Sequence, residues 1–316
     1  MATFRPSHIL LFGATGKIGK FITEAVINAK PSFDHLAIFT SPSTVANKPD
    51  LLNKWKSEGV SVIVGDVDKD EDVRAAYDGV DTVVSAVGRE AIDKQIRLIR
   101  LAEESGSVKW FFPSEYGTDI EYGPQSPDEK PHQKKLAVRK FIRENVQHLK
   151  ITYLVTGPYF DMWAHTTAGA EEAGGFDVRH KEADLVEDGE GKIGFTTMAD
   201  VGKLLVAALQ HPGASFNQAL KVQSFVVTPN QVVAEYEKQT GTKWKVSYTS
   251  LDRIRELEAE LWARGKPQAT SVTLQRIWAE GGTLYEKSDN EKIGVKSEDL
   301  DSLAVAVRRD IEDQQA

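Results

Sequence analysis

Residues 8–12 (HILLF) form a short run of strand-forming residues that ends in Gly13-Ala14-Thr15-Gly16-Lys17-Ile18-Gly19. Immediately after it, Phe21, Ile22, Ala25, Val26 and Ala29 recur at the spacing of one helix face. Strand, glycine turn and helix are the opening of a βαβ unit, and the chain goes on repeating the alternation. Strands are predicted at 35–40 (HLAIFT), 60–67 (VSVIVGDV), 81–88 (DTVVSAVG), 108–115 (VKWFFPSE, broken by Pro113) and 150–157 (KITYLVTG). Helices are predicted at 51–59, at 71–79, at 91–106 with a stop at Gly106, and at 134–145, the last after a polar loop from Tyr116 to Lys130. The strands are near-continuously apolar, which marks parallel strands buried on both faces. Right-handed crossovers then give an α/β fold with a doubly wound parallel sheet.

Beyond Gly157 the pattern loosens. Glycine-rich turns at 174–175 and 188–191 accompany possible strands FDVRH (176–180) and KIGFT (192–196). A helix from Ala199 is stopped by Pro212, and LKVQSFVVT (220–228) reads as one strand. Thr228-Pro229-Asn230-Gln231 then opens a helix with a capping box. A strand at 244–250, a helix at 251–265 and a charged helix at 299–315 complete the chain. With 316 residues the prior is two domains or one large one. The expected division is a dinucleotide-binding Rossmann domain over 1–157 and a smaller α+β substrate-binding part over 158–316, some of whose segments return to the main sheet.

Composition removes several kinds of chemistry. The chain has no Cys, so thiolate nucleophiles, disulfides and thiolate metal sites are excluded. Lys and Arg number 39 and Asp and Glu 47, a net charge of −8 that argues against a nucleic-acid partner. The first residues lack a secretory apolar region, and no stretch of about 20 apolar residues could span a membrane. The expectation is a cytoplasmic protein with no membrane partner and a small-molecule ligand, monomer or homodimer left open. The seven His residues are scattered, and no metal site is expected.

A glycine turn between the first strand and helix lets the backbone approach a diphosphate and offers it free N–H groups. Gly13, Thr15, Gly16, Lys17, Ile18 and Gly19 are therefore candidate cofactor-binding residues. The spacing, G-x-x-G-x-x-G, carries weight only through its position in the βαβ unit. An acidic residue after the second strand would bind the ribose of NADH, but Phe39-Thr40-Ser41-Pro42-Ser43 has none, and the next acid is Asp50. The hydroxyls of Thr40 and Ser41, with Lys48, favour NADPH; Lys48 is otherwise a solvated loop lysine.

No lysine has a tyrosine four residues before it, so the common Tyr-x-x-x-Lys dyad of this fold is absent. Serine-hydrolase, zinc-protease and nucleotide-triphosphate motifs are absent as well. What remains is Phe112-Pro113-Ser114-Glu115-Tyr116-Gly117 at a strand end, where open α/β sheets bind ligands, and a later helix carrying Lys134 and Lys135.

These pieces resemble the atypical short-chain reductases that include isoflavone reductase, phenylcoumaran benzylic ether reductase and pinoresinol–lariciresinol reductase, with NmrA-like proteins as wider kin. The matching segments are GATGKIG (13–19), VVSAVG (83–88), the 91–106 helix, FFPSEYGTD (111–119), KKLAVRKFIRE (134–144) and EDGEGKIGFTTMADVG (187–202). The resemblance implies NADPH, hydride transfer to an aromatic or conjugated carbonyl, enone or ether, and Lys135 as general acid/base in place of tyrosine. It also implies cofactor contacts from Ala86, Val87, Pro113, Ser114, Lys135, Pro158 and Phe160. Substrate contacts are expected from Tyr116, Tyr159, Trp163 and His165, the aromatic ones having core packing as their alternative. Two departures stand out: Thr40 occupies the place where the family often has Arg, and Thr156-Gly157-Pro158-Tyr159-Phe160 replaces more polar residues. The rival reading is a non-catalytic NmrA-like redox sensor, and Lys135 favours the enzyme.

Overall fold

The computed structural model describes residues 4–315. Its strands in chain order are β1 His8–Phe12, β2 His35–Thr40, β3 Ser61–Val64, β4 Thr82–Ser85, β5 Trp110–Phe112 and β6 Lys150–Val155. They continue as β7 Gly175–Asp177, β8 Glu182–Val186, β9 Ile193–Phe195, β10 Gln218–Lys221, β11 Phe225–Val227 and β12 Lys245–Thr249. Seven form one sheet in the order β10-β6-β5-β4-β1-β2-β3, and every pairing in it is parallel. The expected doubly wound α/β fold is what the chain adopts.

The central strand β1 shows why. Ile9 and Leu11 enter the core on one side of the sheet, while Leu10 and Phe12 enter the core on the other. All four are buried, each contributing on the order of 1.5–3 kcal/mol. From β1 the chain winds outward through β2 to β3, then crosses back so that β4 lies on the other side of β1. The gap between the ends of β1 and β4 is thus the topological switch point, where this architecture binds ligands.

The second half of the chain contributes to the same body. The Met198–Gln210 helix packs on the Lys17–Asn28 helix, and a Cβ on Gly202 would stand 2.6 Å from the Phe21 carbonyl oxygen. Such closeness requires glycine. Strand β10 extends the main sheet beside β6. The predicted strand 220–228 is in fact two strands in two sheets. Val222 N–H donates to Val155 in the main sheet, whereas Ser224 N–H donates to Phe195, and β11 then pairs antiparallel with β9. Asn290 holds the crossing point, accepting from the Gln223 N–H and donating to its carbonyl.

A further sheet, β12-β8-β7, packs with Phe160, Trp163, Phe176, Phe195, Tyr236 and Trp244 into a separate aromatic core. Strand β8 and the Ala269–Ala279 helix were not foreseen from the sequence. The Thr228 capping box is present as expected, with the Gln231 side chain returning to the Thr228 N–H. Among the described residues no helix is long and apolar enough to cross a membrane.

Candidate active site

The glycine turn closes on itself by a bond from Gly16 N–H to the Gly13 carbonyl, 2.9 Å. Gly13 has φ +74° at the switch point, and a Cβ there would sit 2.5 Å from the Ala86 carbonyl oxygen. A Cβ on Gly19 would lie 2.0 Å from the Gly13 carbonyl oxygen. The turn is therefore as close to β4 and to its own helix as a backbone can come. Gly16 is the N-cap of the Lys17–Asn28 helix and has no side chain to cap it, so the first-turn N–H groups are available to a ligand. A diphosphate suits such amides. Lys48 reaches across from the chain after β2 and donates to the Thr15 carbonyl, 2.7 Å, which brings an exposed ammonium to the rim of the turn. The donor set fits a phosphorylated dinucleotide.

At the ends of β4 and β5 the Ser114 hydroxyl donates to the Val87 carbonyl, 2.9 Å, and the Ser114 N–H donates to the Gln95 side chain, 2.7 Å. These bonds hold the two strand ends together beside the turn. They also set the path of the next residues, Glu115 and Tyr116.

Lys135 lies on the first turns of the Gln133–Asn145 helix. Its Nζ donates to the Glu115 carbonyl, 2.9 Å, and stands 4.0 Å from the Glu115 carboxylate. That carboxylate is itself buried and paired with Arg139, 3.0 Å, whose guanidinium also reaches Glu121, 2.7 Å, and lies over the Tyr153 ring. Lys135 is thus held by a rigid charged frame, its side chain 18% exposed. Burial strips water from the ammonium and lowers its pKa to about 8; Glu115 pulls it upward, while Arg89 and Arg139 push it further down. Burial drives the Tyr116 and Tyr159 phenols far above their ordinary range, so neither ionises near neutrality. Of the three groups, only the lysine has its pKa brought near neutrality.

Two adjoining cavities meet at Lys135. The larger, about 420 Å³, runs from Ile18, Val87 and Ser114 to Trp262. The smaller, about 200 Å³, is walled by aromatic residues including Tyr116, Tyr159, Trp163 and Trp278. Arg89, Tyr116, Pro131, Lys135, Tyr159 and Met162 border both, so the two are lobes of one cleft. Tyr159 donates to the Tyr116 carbonyl, 2.7 Å, and Trp278 donates to the Thr118 hydroxyl, 2.8 Å, which ties the far wall to the loop after β5.

The fold brings together Ile18, Val87, Ser114, Tyr116, Lys135, Pro158, Tyr159, Trp163 and His165 on the cleft walls. Gly13, Thr15 and Gly16 lie in the turn, and Lys17 and Gly19 on the first turn of the helix that follows it. Phe160 lies elsewhere: it is 1% exposed and packed against Trp163, Phe195 and Phe225, because the residue after Tyr159 starts a short helix whose other side faces the aromatic core. Ala86, Pro113 and Thr40 border neither lobe; Ala86 and Thr40 are buried at strand ends, and Ala86 meets the turn through its backbone. The Ser41 hydroxyl caps the Pro42–Asn47 helix, accepting from Thr44 N–H at 3.2 Å. His165 borders the smaller lobe and is tied to Asp310, 2.8 Å.

Sequence reasoning passed over Arg89, His132, Met162, Trp262 and the wall made by Ser271, Gln275 and Trp278. The Ala269–Ala279 helix had a usable signal in the buried spacing of Ala269, Val272, Thr273 and Ile277. Arg89 and His132 had none, since each is a single polar residue in a loop or turn.

Comparison with known proteins places this geometry among relatives. The NmrA-like family profile matches residues 5–273. An isoflavone reductase of Pisum sativum is 29% identical over 264 residues, which cover 78% of this chain and 80% of that protein. The phenylcoumaran benzylic ether reductase PT1 of Pinus taeda is 27% identical over 258 residues, 80% of this chain and 82% of that protein. A leucoanthocyanidin reductase from Vitis vinifera, solved as a binary complex with NADPH, superposes with a TM-score of 0.80 at 20% identity, covering 97% of this chain and 100% of that one. At that identity the likeness is one of fold.

Proposed function

The chain belongs to the NmrA-like family, and on that premise we propose that it is an NADPH-dependent oxidoreductase acting on a small aromatic or conjugated carbonyl, enone or ether, with Lys135 as general acid/base. The observation that carries this reading is the position of Lys135: a desolvated lysine, locked by the Glu115 carbonyl, at the border between a lobe that begins at the glycine turn and a lobe lined by aromatic rings.

The first-turn amides after Gly16 would hold the diphosphate, and Lys48 with Ser41 would meet the 2′-phosphate. Val87, Ser114 and Pro158 would flank the nicotinamide end. When bound, NADPH supplies hydride to an electrophilic carbon. Lys135 would donate a proton to, or hydrogen-bond, the oxygen on which charge develops, a role that requires its ammonium form. Tyr116, Tyr159 and Trp163 would sandwich the flat substrate and exclude water. Residues 1–157 would chiefly bind the dinucleotide, and 158–316 would close the substrate end.

The relatives named isoflavone reductase and phenylcoumaran benzylic ether reductase support the reductase reading. The test measures NADPH affinity and NADPH oxidation against a panel of aromatic ketones and enones, for the wild type and Lys135→Ala. Retained affinity with turnover reduced by about 10²–10⁴-fold is the expected result. Tight NADPH binding with no oxidation by the wild type across the panel would overturn the reading in favour of a dinucleotide sensor.

A further inference from the structure

His132 is one helical turn before Lys135, at the N-cap of the same helix, and it borders the smaller lobe. It is 2% exposed, and its two ring nitrogens have different surroundings. Nδ1 lies 3.2 Å from the Ser126 carbonyl, whereas Nε2 is buried without a protein partner. A carbonyl only accepts, so Nδ1 carries the proton, and Nε2 of the neutral ring is a bare lone pair. The ring is fixed at 6.1 Å from Tyr122 in edge-to-face contact, so its orientation is set before any ligand arrives.

We propose that His132 is a specificity residue whose Nε2 accepts a hydrogen bond from a free hydroxyl on the substrate, beside the oxygen that Lys135 contacts. This rests on reading the cleft as the substrate site. Burial lowers the imidazole pKa, and Lys135 and Arg89 add to it against the opposing pull of the Ser126 carbonyl and Glu129, so the net shift is downward and favours the neutral ring with its acceptor open. Residues at i and i+3 share a helix face, which puts an acceptor next to a donor. A substrate lacking the hydroxyl leaves a buried acceptor unpaired, and such sites discriminate strongly.

The probes are 2-, 3- and 4-hydroxychalcone, each compared with chalcone, with binding read by tryptophan quenching in the presence of NADP⁺ and turnover by NADPH oxidation. At least one hydroxychalcone is expected to bind about tenfold or more tighter than chalcone. His132→Phe should abolish that preference while leaving NADPH affinity within about twofold and thermal stability within a few degrees, and His132→Gln should restore part of it. No preference in the wild type, or a preference that survives in His132→Phe, overturns the assignment. A preference lost in His132→Phe, with no NADPH oxidation by the wild type across the full ketone and enone panel, supports it and overturns the reductase reading instead.

Discussion

The Lys135 ammonium is bonded to the Glu115 main-chain carbonyl at 2.9 Å, while the Glu115 side chain, 4.0 Å away, is turned to Arg139. One residue therefore positions the lysine through its backbone and tunes it through its charge. In the proposed role Lys135 acts in its ammonium form, so kcat/KM is expected to fall as pH rises through about 8. Glu115→Gln removes the charge that pulls the lysine's pKa up, so the alkaline limb should move to lower pH. The same change leaves the buried Arg139 with only Glu121, and the loss of stability should fall near the lower end of about 3–5 kcal/mol. A pH–rate profile and a urea titration check the two halves separately. An unmoved limb would remove Glu115 from the tuning of Lys135.

Gly19 and Gly16 should respond differently to one added methyl group. A Cβ on Gly19 would meet the Gly13 carbonyl oxygen at 2.0 Å, whereas on Gly16 the same atom would be 3.1 Å away. Gly19→Ala must displace the turn, at a cost of about 1–3 kcal/mol or more, and should weaken NADPH binding at least tenfold. Gly16→Ala asks its neighbour to yield by a few tenths of an ångström and should be the milder change in both respects. Calorimetric titration with NADPH and thermal melts of both variants decide it, and equal effects would count against the close-packed turn.

Lys48 supplies a cation at the rim of the glycine turn. Lys48→Ala should weaken NADPH by about 10–100-fold, the worth of a charge-assisted bond, and leave NADH nearly unchanged. Dissociation constants for both dinucleotides test this. An equal loss for the two would mean that the lysine serves the turn through Thr15 and not the 2′-phosphate.

Asp310, on the final helix Leu303–Gln315, accepts from Tyr236 at 2.5 Å and pairs with His165 at 2.8 Å. Its hydrogen bond raises the His165 pKa. A raised histidine contributes stability that is complete below its unfolded value and is lost as pH rises through the folded one. Asp310→Asn should therefore cost more at pH 5 than at pH 8. Because the imidazole is half exposed, solvent screens the pair and the difference should stay below about 1 kcal/mol. Urea titrations at the two pH values measure it, and a larger cost at pH 8 contradicts the assignment.

The alternation of strands and helices up to Val155 was legible because each element there repeats its own short-range pattern. Phe12 and Ala25 announce strand and helix by their immediate neighbours alone. The 220–228 segment misled for the same reason: its apolar run is continuous, but Val222 and Ser224 bond to different sheets. The tight turn over 13–16 was also legible from its glycine spacing, whereas Lys135 was singled out only by the resemblance of KKLAVRK to a family helix. The neighbours of Lys135 in the cleft, Arg89, His132 and Trp278, arrive from 46, 3 and 143 residues away in the chain, and none of the three carries a local signal of its place there.

Local sterics and hydrophobic period are properties of a few adjacent residues, so the order of elements and the tight glycine turn were written in the chain itself. The state of Lys135 depends on the Glu115 backbone, on Arg139 and on how much water the aromatic wall excludes. Those are distances and dielectric surroundings created when remote segments meet. Phe160 and Tyr159 make the same point in adjacent positions: one turns into the aromatic core and the other toward the cleft, a choice made by packing and not by residue type.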